Sequence, residues 1–195
     1  MRVFIAVLVL IFSLQSLTKA DDISDFEIEG ISIGDSALDY FNKLDLNEFY
    51  KTTYPNSDDY KGYEVPKFLS KINFNTYDSI TFHYKKNDKE MKIVSLTGIV
   101  LYPNDLKKCL KQRDTVGEEI KNILSNYVEE EYTMTYGEGN DNKSYTKEYI
   151  IKKGSIKVWC SDWDENTEKE KGWQDDLTIS ISLEDFLFWV DNTAY

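Results

Sequence analysis

Strict alternation of apolar and polar residues constrains this chain more than any other feature. Between Ser79 and Lys86 it sets Ile80, Phe82 and Tyr84 on one side and Thr81, His83 and Lys85 on the other. A period of two is the signature of an extended strand with one buried face. Asn87 to Glu90 supplies a turn and Met91 to Tyr102 a second strand, so the segment predicts a hairpin. The second strand is apolar on both sides around Ile99, Val100 and Leu101, as in a central strand covered on both faces. Gly98 leaves room there for a group packed close against it. Pro103 ends the strand.

The same reading extends along the chain. Phe26 to Ile33 alternates on either side of Gly30 and predicts a strand with a bulge or kink. After Gly34, Asp35 or Ser36 caps a short helix through Leu44, with Asp39 three residues after Ser36 and with Leu38, Phe41 and Leu44 on one stripe. Tyr50 to Gly62, with Pro55, Asn56, Ser57, Asp58 and Asp59, has no period and reads as an exposed loop. From Asn104 to about Glu130 the apolar residues, among them Leu106, Cys109, Val116, Ile120 and Tyr127, recur at helical spacing, which predicts the longest amphipathic helix of the chain. Gly117 marks a kink or a close contact within it. Thr133 to Tyr136, Tyr145 to Ile151 and Ser155 to Cys160 predict a three-strand meander, with a turn at Gly137 to Asn142. Leu177 to Ile181 predicts a last strand, and Ser182 caps a terminal helix through Val190. Strands gathered in hairpins around one long helix predict an α+β fold, a mostly antiparallel sheet with the long helix packed on a face and short helices near both ends.

The first 20 residues read as a secretory signal peptide: Arg2, an apolar run from Val3 to Leu14, and the small residues Thr18 and Ala20 before a cleavage site. The run rises only about 18 Å as a helix, short of the roughly 30 Å hydrocarbon core, so no stable membrane insertion is expected after cleavage. Residues 21–195 are then expected to form one exported domain, periplasmic or secreted. The leader carries Arg2 and Lys19 but no acid, so its removal takes the net charge from −12 to −14. A field of that sign repels nucleic acid, which is bound through lysine and arginine. Cys109 and Cys160 are the only cysteines, and an exported chain with an even count is expected to pair them.

Chemistry is sparsely signalled. His83 is the single histidine, and its strand phase makes it a solvent-side residue. Nucleophile elbows, Cys-x-x-Cys pairs, zinc-protease helices and glycine-rich phosphate loops are all missing from the sequence. Asp162, Asp164 and Asn166 place oxygen ligands at alternate positions, as a calcium loop does. Thr167 and Trp173 stand where an EF-hand needs its glycine and its glutamate, so only an irregular calcium site remains. Adjacent carboxylates, Asp175 with Asp176 and Glu184 with Asp185, are the material for a small carboxylate hydrolase or glycosidase, although neighbours on a strand point apart. All four tryptophans fall in the last 40 residues. Trp159 and Trp189 read as core, and Trp163 and Trp173 as surface. With Tyr54 and Tyr60 of the polar loop, Trp163 and Trp173 form the candidate contact for a protein or glycan partner, no cofactor being required.

The segment Phe26 to Phe41 resembles the opening of uncharacterised exported proteins of small-genome marine alphaproteobacteria, in keeping with the abundance of Lys, Asn, Ile, Tyr and Asp. Gly34, Asp35 and Ser36 before a helix are also similar to the helix start of small outer-membrane assembly lipoproteins, but the lipid-bearing cysteine of those proteins is missing here. The resemblance implies an exported compartment and no activity. The expected function is therefore a non-catalytic binding module.

Overall fold

The computed structural model describes residue 20, residues 22–137 and residues 141–195. Residues 1–19 of the expected leader, Asp21 at the expected mature start and residues 138–140 of the expected turn lie outside the described residues. Ala20, the last leader residue, is buried and donates its N–H to the Ile123 carbonyl at 2.9 Å.

A small hairpin, β1 (Glu27–Ile28) and β2 (Ile31–Ser32), opens the fold. The expected bulged strand is instead this two-residue turn, because Glu29 and Gly30 both take positive φ, 53° and 78°, the geometry that reverses a right-twisted pair. The main sheet follows: β3 (Tyr50–Thr52), β4 (Tyr60–Pro66), β5 (Ser79–Lys85), β6 (Ile93–Leu101), β7 (Val128–Tyr136), β8 (Asn142–Ile151), β9 (Gly154–Asp162) and β10 (Asp176–Leu183). Its order is β3-β4-β5-β6-β10-β9-β8-β7, antiparallel throughout. Two meanders thus meet at the centre through their last strands, β6 and β10. The connection from β6 at the centre to β7 at the far edge is helix α1 (Leu106–Ile123), which lies against β9 and β10.

Period two sorts the strands into two faces. Ile80 and Phe82 of β5, Leu96 of β6, Ile179 and Ile181 of β10, and Ile156, Val158 and Cys160 of β9 are buried together under α1 and the amino-terminal segment. Phe41 stacks on Phe82 with ring centroids 5.3 Å apart. Fully burying each such side chain contributes roughly 1.5–3 kcal/mol. A disulfide joins Cys109 of α1 to Cys160 of β9, fastening the helix to this face. The two expected close approaches are present: a Cβ at Gly98 would come within 2.4 Å of the Tyr77 ring, and one at Gly117 within 2.5 Å of the Tyr149 hydroxyl. Charges close the rim, with Arg113 to Glu131 at 3.0 Å and Lys121 to Glu129 at 2.9 Å drawing α1 onto β7.

The helices differ from expectation in length. α1 stops at Ile123, and Tyr127 falls outside it, because from Val128 onward the chain pairs with β8. The helix expected from Ser36 to Leu44 is a single 3-10 turn, Ala37–Asp39, which leaves Leu44 exposed. Asn42 is the reason: its side chain accepts the N–H groups of Leu44 and Asp45, an alternative to continuing the helix. At the other end, α3 (Glu184–Trp189) lacks the expected Ser182 cap, since the Ser182 hydroxyl bonds Ser95 and Ser180 within the sheet. The expected loop from Tyr50 to Gly62 contains β3 and the start of β4, leaving only residues 53–59 as connection. No helix among the described residues is long and apolar enough to cross a membrane.

Candidate functional site

The second face of the sheet is polar. Ser79, Thr81 and His83 of β5, Ser95 and Thr97 of β6, and Thr178, Ser180 and Ser182 of β10 alternate with the core residues and stand side by side in the strand register. Their hydroxyls bond laterally: Ser95 and Ser182 share a hydrogen bond of 2.8 Å, and Thr97 donates to Ser180 at 3.0 Å. Ser155, Lys157, Trp159 and Ser161 of β9 continue the face. Trp159 therefore does not lie in the core as expected. Its neighbours Val158 and Cys160 both turn inward to the main core, which points Trp159 to the opposite face.

One end of this face is closed. Tyr60, Val94, Phe186, Trp189 and Ala194 form a second, smaller core in which Tyr60 packs on Phe186 and Trp189 at 5.2 and 4.7 Å. Tyr54 packs edge-on to Trp189 at 4.7 Å. Both tyrosines expected at a ligand surface thus hold the carboxy-terminal segment onto the sheet. His83 keeps the expected phase but is not solvent-side, because Tyr54, Thr52 and Phe186 cover it. Its Nε2 lies 2.8 Å from the Tyr54 hydroxyl, its buried Nδ1 has no partner among the described residues, and burial pushes its pKa down to about 4. It is neutral at pH 7.

The other end is open. Trp163 and Trp173 meet there with ring centroids 4.7 Å apart, although ten positions separate them in sequence. Helix α2 (Glu165–Lys171) brings them together. Asp164 starts it, its carboxylate accepting the N–H groups of Asn166 and Thr167 and the Thr167 hydroxyl. Gly172 ends it in the left-handed conformation, φ 70°, and turns Trp173 back. The backbone N–H of Trp163 is held by buried Asp175 at 2.9 Å. Asp164 donates its own N–H to Asn142, which anchors the helix to β8.

These two tryptophans flank a groove of about 720 Å³. Tyr50 and Phe68 stand in its lining with them, and Ser79, Ile99 and Leu101 belong to the sheet beneath. Tyr50, Phe68, Leu101 and Trp173 are all exposed, an unusual gathering of large apolar side chains around one hollow. Three carboxylates, Glu64, Asp78 and Asp176, line the same groove. The carboxyl of Asp176 holds its proton more tightly than usual because it is buried, against the opposing effect of hydrogen bonds from Thr178 and Ser161. Asp162 is raised for the same reason, burial, with Asp175 adding repulsion.

The expected calcium ligands fall at the end of β9, at the start of α2 and within it. Asp164 is occupied as the cap of α2 and its carboxyl is held below the usual range by the Thr167 backbone N–H and hydroxyl. Asn166 lies within that helix, and Asp162 ends β9 opposite Lys143. Among the described residues no group of three histidine, cysteine, aspartate or glutamate side chains is arranged to hold a metal ion. Of the pairs considered for acid and base chemistry, Asp175 is buried and accepts the Trp163 backbone N–H, while Asp176 lines the groove. Asp185 lies at the closed end, 3.7 Å from Lys85.

Sequence and geometry together define an α+β protein with one face of an antiparallel sheet given to packing and the other to an aromatic-walled groove. Set against protein-family models, curated proteins and solved structures, the chain shows no match.

Proposed function

We propose that this is an exported binding protein whose groove between Trp163, Trp173, Tyr50 and Phe68 takes a glycan. The groove itself carries the reading. Aromatic faces stack on the apolar C–H faces of sugar rings, while carboxylates and hydroxyls at the base accept and donate to sugar hydroxyls. A hollow of about 720 Å³ holds more than one ring. Export is supported by the leader-like start and by the Cys109 to Cys160 disulfide, which belongs to oxidising compartments. The direct test is calorimetric titration of oligosaccharides into the protein and into Trp163→Ala and Trp173→Ala. Binding that weakens at least about tenfold in both variants, with their melting temperatures kept, supports the reading. Binding indifferent to both tryptophans rejects it.

One observation favours hydrolysis as a second reading: Asp176, with its raised pKa, shares the groove with Glu64 and Asp78, and glycosidases pair a protonated with an ionised carboxyl. Release of shorter sugars by the native protein, lost in Asp176→Asn, would establish it. Intact ligand after prolonged incubation would leave the binding reading alone.

A further inference from the structure

We propose that the groove selects sugars carrying a free, protonated amine over their neutral, N-acetylated counterparts. The inference rests on the glycan reading and adds to it the charge of the ligand. Aromatic walls alone do not discriminate, because a tryptophan face attracts a C–H bond and an ammonium alike. The charges around those walls do. Glu64, Asp78 and Asp176 line the groove with Lys67, Lys171 standing at its Trp173 wall, and the net charge of the whole chain, −12, draws cations toward it.

An ammonium already rests on one of these rings. Lys171, the last residue of α2, holds its Nζ 4.6 Å from the centroid of Trp173. The chain's own side chain thus shows that this ring face accepts a cation, the arrangement by which aromatic pockets recognise ammonium ligands. A sugar amine reaching the groove finds the same kind of ring face on Trp163 and Trp173, with Asp176 close to the tryptophan side and Glu64 and Asp78 across the sheet. An acetylated amine has neither the charge for the carboxylates nor the charge for the ring quadrupole. It keeps only the stacking.

The test compares glucosamine hexamer with N-acetylglucosamine hexamer at about pH 6, below the usual pKa of an amine of this type, by calorimetry on the full chain at low and high salt. The amine-bearing oligomer is expected to bind about tenfold more tightly at low salt and to lose most of that advantage at high salt. Glu64→Gln combined with Asp176→Asn should weaken the amine-bearing oligomer more than the acetylated one and so remove the preference, and Trp163→Ala should weaken both. Equal, tryptophan-dependent binding of the two oligomers overturns the charge selection and leaves the glycan reading standing. Binding of neither overturns both. Binding of the amine form alone that survives Trp163→Ala and Trp173→Ala places it elsewhere on the acidic surface and overturns the proposal.

Discussion

The two faces of the sheet are made by the same strands and obey different chemistry. Under α1, alternate residues of β5, β6, β9 and β10 are isoleucine, leucine, valine and phenylalanine, and the disulfide adds a covalent tie. On the other face the intervening residues are mostly serine and threonine bonded to one another, with aromatic clusters at the two ends. Stability is therefore concentrated on one face, and the other is free to carry a binding surface. The contrast also separates the aromatic clusters: at the closed end rings pack on rings, and at the open end they line a hollow.

The largest effect should come from the packed face. Phe82→Ala empties a fully buried site against Phe41 and is expected to cost about 3–5 kcal/mol in denaturant unfolding. Its strand neighbour Thr81→Ala, on the polar face, should cost about 1 kcal/mol or less. Similar losses in the two variants would break the contrast between the faces. Replacing both cysteines by serine should follow in size. The bridge spans 51 residues, for which the chain-entropy model gives up to about 4 kcal/mol. The loss should appear equally on adding reductant to the native protein.

His83 sharpens the comparison because it is a titrating group buried between the polar face and its aromatic lid. Its folded pKa, about 4, lies below the ordinary 6.5, so the unfolded chain binds a proton that the folded chain refuses. The associated stability is complete above about pH 6.5 and is lost as pH falls toward 4, by roughly 3 kcal/mol. His83→Gln should lack this part of the acid sensitivity. Parallel stability curves for the two proteins between those pH values would show that the histidine is not held neutral by burial.

How much of this was legible follows from the range of the forces involved. Alternation in Ile80, Phe82 and Tyr84 and helical spacing in Cys109, Val116 and Ile120 are local, and the strands and the long helix could be read from them, while the pairing of Cys109 with Cys160 followed from an even cysteine count in a chain expected to be exported. The phase of Trp159 was equally local: Ile156, Val158 and Cys160 alternate inward, which turns Trp159 outward. What local patterns do not carry is the order of the strands. Glu64, Asp78 and Asp176 come from three stretches of the chain, and only the meeting of β6 with β10 places them in one groove. Tyr54 and Tyr60 looked like surface residues because their segment is polar, and the carboxy-terminal helix that covers them is more than 120 positions away. Trp173 is exposed and Trp163 half-buried, and the acidic stretch between them shows the spacing of an irregular calcium site because a helix cap and a metal ligand ask for the same oxygen-bearing side chains.

That ambiguity leads to the smallest change in stability and a direct test of how the groove is built. Seven residues are too few for a helix to persist in water on its own, so α2 depends on its ends, and Asp164 supplies three of the hydrogen bonds at the first of them. Asp164→Ala should lower overall stability less than any substitution above, because α2 contributes no buried residue to either core. It should nevertheless loosen the pairing of Trp163 with Trp173. Two indoles with centroids 4.7 Å apart couple their electronic transitions, and the resulting circular-dichroism couplet should fade in Asp164→Ala together with ligand binding. Asp164→Asn retains an oxygen that caps the same N–H groups and should restore both. If Asp164→Ala leaves the couplet intact, the tryptophans are held by Asp175 and by their own contact, and the role of α2 in shaping the groove is refuted.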